Sequence, residues 1–171
     1  PATNTDRTLV LPDEAGTMAL QGGAGVGKVL QVVSVTSTTP MTTAGTYPQL
    51  SGITVSITPQ SASSKVFVMA VIQGHADNSG TNANKISVFG VKNNTSGATF
   101  GTRRVGALFT ASNTDVFDVV PIIVLDTPNS TSAQTYEILY GRYNSSFNNG
   151  VSINGGGLSP ATVITLMEIA A

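Results

Sequence analysis

Short β-type runs recur along nearly the whole chain, separated by loops of Ser, Thr, Asn and Gly, and this punctuation settles the fold class first. Ile53–Thr58 (ITVSIT) alternates strictly, with Ile53, Val55 and Ile57 on one face and Thr54, Ser56 and Thr58 on the other. That is the pattern of a half-buried strand. Val66–Ile72 (VFVMAVI) is apolar throughout, as a strand covered on both faces is. Further runs fall at Lys28–Thr36, Lys85–Val91, Arg103–Phe109, Val116–Leu125, Thr135–Tyr140, Val151–Ile153 and Thr162–Ile169. No segment keeps apolar residues at helical spacing between helix caps, so the chain reads as all-β. Val119–Leu125, like Val66–Ile72, reads as doubly covered, which favours a jelly-roll-like β-sandwich over a closed barrel. A sandwich supplies one cover, and a subunit interface would supply the other.

Composition narrows the function. The 171 residues make one domain of ordinary size plus a short extension. Gly22–Gly27 (GGAGVG) breaks the β pattern and separates residues 1–27 from a β domain over 28–171. Only 10% of residues are charged, and eight basic against nine acidic side chains leave a net charge of -1. A balance so near zero excludes electrostatic capture of nucleic acid or of an anionic membrane. It also leaves little charge to keep copies of the chain apart, which points to surface buried between subunits. With no cysteine there is no disulfide scaffold, thiol nucleophile or thiolate zinc site. No apolar run is long enough for a membrane helix, and membrane insertion is not expected.

Motifs for chemistry are thin. Gly22–Val29 (GGAGVGKV) approaches a phosphate-binding loop, but Val29 lacks the hydroxyl that holds magnesium, and Lys28 opens a β-type run where a helix is needed. His75 is the only histidine, placed in a predicted loop over Gln73–Asn84 with Asp77 close by. A metal there would need Asp115 or Asp118 as well, and one imidazole with scattered carboxylates makes no metal or catalytic constellation. No cofactor is expected, and neither a nucleotide hydrolase nor a polysaccharide depolymerase finds its residues here. The stretch Arg142–Asn149 (RYNSSFNN) is different, because it joins an arginine, two aromatics and several amides in a predicted loop. Ring faces pack on apolar patches while amides read hydroxyls, a mixture suited to a sugar or a polar protein surface. The candidate recognition residues are Arg142, Tyr143, Asn144, Phe147 and Asn148, with His75 and Asp77 as a second group.

Several of these stretches resemble the distal domains of bacteriophage tail-fibre and related virion proteins. Arg7–Thr17 (RTLVLPDEAGT) looks like the strand-turn unit that closes a fibre shaft. Gly27–Val33 (GKVLQVV), Gly52–Pro59 (GITVSITP), Ser63–Val66 (SSKV), Thr135 with Tyr136, and Ile164–Ile169 (ITLMEI) follow in the order found in those domains. The resemblance implies a homotrimer whose residues 1–27 form an intertwined shaft that joins other virion proteins. It implies a head similar to tumour-necrosis-factor-like jelly rolls, carried on a virion made in the infected host's cytoplasm. It also implies a receptor-binding role at host attachment, directed at a surface glycan or an outer-membrane protein. The alternative is a capsid decoration, head-fibre or other structural tail component that meets no receptor.

Overall fold

A computed structural model describes residues 27–77, 85–107, 116–145, 150–155 and 161–171. These hold ten strands: β1 (Val29–Ser37), β2 (Met41–Thr43), β3 (Gln49–Ile57), β4 (Lys65–Asp77), β5 (Lys85–Asn93), β6 (Thr99–Ala107), β7 (Val116–Asp126), β8 (Gln134–Arg142), β9 (Gly150–Ile153) and β10 (Thr162–Ile169). Each run expected within 28–171 lies on a strand over its described residues; Leu108 and Phe109 of the Arg103–Phe109 run fall outside them. The addition is β2, whose three residues after Pro40 are too few to display alternation. Lys28 and Val29 lead into β1 as the sequence suggests: Gly27 N–H donates to the Ala170 carbonyl and Ala170 N–H to the Lys28 carbonyl. The expected shaft falls outside the described residues, apart from Gly27.

The strands form two antiparallel sheets. In the first, β4 pairs with β7 along one side. On its other side β4 pairs with β10 over Lys65–Val71 and with β9 over Gly74–Asp77. The strands β9 and β10 therefore lie end to end, and so do β1 and β2, which pair with them. The first sheet thus has four positions: β1 with β2, β10 with β9, β4, then β7. The second sheet runs β3, β8, β5, β6. This is the eight-position order of a jelly roll, two interlocked Greek keys.

Asn154 closes the break between β9 and β10, at a positive φ of 55° that asparagine tolerates better than most residues. Its side-chain amide donates to the carbonyls of Ser37 and Thr39, and its oxygen accepts from the Thr162 hydroxyl. One buried amide thereby fastens both interruptions of the sheet.

The core fills the space between the sheets with alternate residues. From the first sheet come Val66, Val68, Ala70 and Ile72 of β4, Val120 and Ile122 of β7, and Ile164 and Leu166 of β10. The second sheet answers with Ile53, Val55 and Ile57 of β3 and Tyr136, Ile138 and Tyr140 of β8. Each large side chain buried this way contributes roughly 1.5–3 kcal/mol. Gly74 makes room for Phe89: a Cβ there would stand 2.8 Å from the ring.

The pole where the chain enters the sandwich is closed by buried polar groups. Glu168 accepts from the Gln31 amide at 2.6 Å and the Gln60 N–H at 2.7 Å, which ties the β3–β4 turn to β1 and β10. Burial pushes its carboxyl pKa up, but these hydrogen bonds outweigh that and hold it below the ordinary value. Across the sandwich, Asp126 of β7 accepts from the Tyr136 hydroxyl at 2.7 Å and the Asn93 amide at 3.1 Å. Burial and the neighbouring Asp126 carboxylate push the Tyr136 phenol far up, so it stays a donor.

Candidate functional site

The opposite pole carries the candidate recognition residues. There β8 ends in Arg142, whose N–H donates to the Gly45 carbonyl and whose carbonyl accepts from Tyr47 N–H. Gly141 makes that crossing possible. Its φ is 155°, and a Cβ would lie 2.6 Å from the Tyr47 nitrogen. Tyr143 continues the β8 direction by donating its N–H to the Ile86 carbonyl at 3.0 Å. Tyr143 is 39% exposed, and Arg104 of β6 lies over its ring with the guanidinium carbon 4.0 Å from the centroid. A cation over a tyrosine face at this range is held by the ring quadrupole. Asn144 follows, half-buried, while Phe147 and Asn148 lie outside the described residues.

Arg104 leads to a feature that sequence reasoning missed. Where β6 closes the second sheet and β7 closes the first, Arg103, Arg104, Asp118, Val119, Val120 and Pro121 line an open hollow of about 230 Å³. Both arginines and Asp118 are exposed. The available signal was the Arg103–Arg104 pair itself, half the arginines of a charge-poor chain.

His75 and Asp77 sit elsewhere, and their expected setting is corrected. Neither is in a loop: both belong to β4, which runs on to Asp77 because β7 and β9 supply ladder partners on its two sides. They lie on the first sheet, whereas Arg142 and Tyr143 extend the second, so the two groups belong to different sheets. His75 points to the outer face yet is only 7% exposed, stacked on Phe117 at 4.3 Å between centroids and 5° between planes. It is therefore not a solvated histidine. Among the described residues no group of three or more metal-ligating side chains comes together. Asp118 stands at the hollow beside β6, and Asp115 lies outside the described residues.

The outer face of the first sheet is the second notable surface. The registers place Val32, Met167, Phe67 and Leu125 in one row across the four strands. Ser34, Thr165, Met69 and Ile123 form the next, and Thr36, Val163, Val71 and Pro121 the third. None of these twelve residues is ionisable. On β7 the outward side chains are largely bare: Phe117 is 48% exposed, Val119 51%, Ile123 60% and Leu125 53%. The double cover expected for Val66–Ile72 and Val119–Leu125 is therefore half supplied. The opposite sheet covers their inner side, and on the outer side of β7 His75 stacks on Phe117 while Val119, Ile123 and Leu125 stay more than half exposed.

No family model matches the chain, and no curated protein matches it. Solved structures with some likeness include that of infectious bursal disease virus, Gx strain, at 14% identity and a TM-score of 0.34, covering 94% of this chain and 42% of that one. The T=1 particles derived from infectious bursal virus give 14% identity and a TM-score of 0.34, with 97% and 41% covered. The VP2 subviral particle of infectious bursal disease virus gives 12% and 0.29, with 82% and 38% covered. The chain thus spans about two fifths of the length of those chains. Scores this low say nothing of function, and the jelly roll stands on the strand pairings themselves.

Proposed function

We propose that this chain is a virion structural protein of the tail-fibre type, which associates with copies of itself through the outer face of the first sheet and presents its far pole to a host receptor. The observation that carries the reading is the uncharged apolar face. Three rows about 6.6 Å apart across four strands about 4.8 Å apart give it roughly 300–400 Å². That is the size of the greatest patch on an ordinary monomer and nearly half the share of about 800 Å² that one partner brings to a standard interface. Charge is depleted at the centre of such interfaces, as it is here. Three copies is the number that the tail-fibre resemblance implies, and joining several weak sites on one particle would raise avidity without a new contact.

The placement of the two poles fits this reading. Gly27 joins the sandwich beside Ala170, and Arg142, Tyr143 and Arg104 lie at the other end of the strands. A fibre attached at the first pole would hold the second outward.

Light scattering of the purified chain tests the assembly: a trimer is expected, and a monomer at micromolar concentration would overturn it. Gold-labelled antibody against the chain tests the location on intact virions. Label at fibre tips is expected, and label on capsid faces alone would favour the decoration-protein alternative.

A further inference from the structure

We infer that β7 of one copy packs against β1 of the next, row against matching row, so that three first sheets close around an axis running along their strands. This rests on the reading of the outer face as the self-association surface and names which parts of it meet. Side chains on that face are barest at its two margins, where Val32 of β1 and Ile123 and Leu125 of β7 are each more than half exposed. Between the margins Phe67, Met69, Val71 and Met167 are half-buried, and Thr165 is only 9% exposed. Copies in a closed ring meet through two different patches of one surface, and the two bare margins supply such a pair.

The width of the sheet sets the number of copies. Packed sheets stand about 10 Å apart, so the side chains of each fill about 5 Å. Three sheets that each lie about 5 Å from a common axis form a triangle with sides of about 17 Å. The four strand positions of the first sheet, about 4.8 Å apart, span about 14 Å from β1 to β7 and about 19 Å with the margins included. Four copies would hold each sheet about 9 Å from the axis and leave a channel that the side chains do not fill. Two copies stacked face to face would bury only about 600–800 Å², the size of a crystal contact, whereas three bring about 900–1,200 Å² together. The face can also lose its water at little cost. The hydroxyls of Ser34 and Thr165 already meet at 2.9 Å, and no ionisable group stands in the three rows.

An axis along the strands keeps each residue at its own height, which fixes the register. Val32 of one copy meets Leu125 of the next, and Ser34 meets Ile123, because each pair shares a row of the sheet. Within one chain the members of each pair stand three strand spacings apart, about 14 Å, too far for a disulfide.

The chain has no cysteine, so engineered pairs report this contact without background. The test oxidises full chain carrying Val32→Cys with Leu125→Cys, or Ser34→Cys with Ile123→Cys, and reads the products on denaturing gels without reductant. Val32→Cys with Val119→Cys is the control, since Val119 lies about 20 Å farther along β7 than Leu125. At least one matched pair should shift the chain from monomer to covalent trimer, while the control and the single variants Val32→Cys and Leu125→Cys stay monomeric. All five positions are exposed, and melting temperatures under reducing conditions will show that the variants fold. Linkage that stops at dimer, dimers from either single variant, or a control that links as well as the matched pairs would each overturn the inference. Light scattering separates it from the assembly reading. A trimer in which neither matched pair links would remove the contact between β7 and β1 alone, whereas a monomer would remove both.

Discussion

The two sheets of this sandwich share one inner layer but have opposite outer faces. On the second sheet the two outward rows nearest the entry pole are polar: Thr54, Glu137, Lys92 and Thr99 stand side by side, and the hydroxyls of Ser56 and Thr135 meet at 2.8 Å, before the face turns apolar at Leu50 and Leu139. Glu137 is further tied down by the Gly52 N–H and the Asn94 amide, each at 2.7 Å. The matching rows of the first sheet are Val, Met, Phe, Leu, Ile and Pro with a few hydroxyls and no charge. Both outer faces are compatible with the same strand pairings, so the difference is not needed to make the fold. It marks one side for water and the other for protein.

Substitutions can break that contrast. The largest effect is expected from Ile123→Lys, which sets a charge in the middle of the apolar face. The oligomer should dissociate to monomer in light scattering, while Thr54→Lys on the opposite sheet should leave it intact. Next is the pair of neighbours on β7. Ile122 faces the core, and Ile122→Ala should cost about 2–5 kcal/mol in urea unfolding. Ile123→Ala, one residue on, should change the stability of dilute chain by no more than about 0.5 kcal/mol. Equal costs at the two positions would mean that the outer face is already covered within one chain.

Glu168→Gln comes third, since it leaves donors of Gln31 and Gln60 poorly matched, at about 1–3 kcal/mol near neutral pH. Its pH dependence has a defined sign. The folded carboxyl pKa lies below the ordinary 4.5, so between the two values the unfolded chain binds more protons and stability rises with pH. The contribution is complete above 4.5 and is lost as pH falls through the depressed value. The gap between wild type and Glu168→Gln should therefore close in acid unfolding curves below pH 4.5. The smallest effect belongs to the polar outer face, where Ser56→Ala should cost no more than about 0.5–1 kcal/mol.

Much of the architecture was legible because a half-buried strand writes its period into its residues, as Ile53–Ile57 does. Doubly apolar runs were legible too, but one sequence cannot distinguish cover by the same chain from cover by another. The polar end of β4 was read as a loop from its composition, QGHAD. Ladder hydrogen bonds to β7 and β9 satisfy its backbone whatever the side chains, and they extend the strand. Tyr143 was legible as an exposed aromatic near an arginine, yet its partner is Arg104, some forty residues earlier. That meeting depends on β8 and β6 flanking β5. The hollow needed still more, because its two walls come from strands of different sheets.

The end-to-end strands have a mechanical consequence. If the particle is anchored before Gly27 and held at the Tyr143 pole, tension runs along the strand axes and loads β1 against β10 in shear, with many hydrogen bonds resisting together. At the break marked by Asn154 the load must cross from β1 and β10 to β2 and β9. Among the strands of the first sheet, only β4 and β7 pass that level without interruption. They would carry the tension there, and a pull strong enough to damage the head should part the short β2–β9 pair while the long central strands still hold.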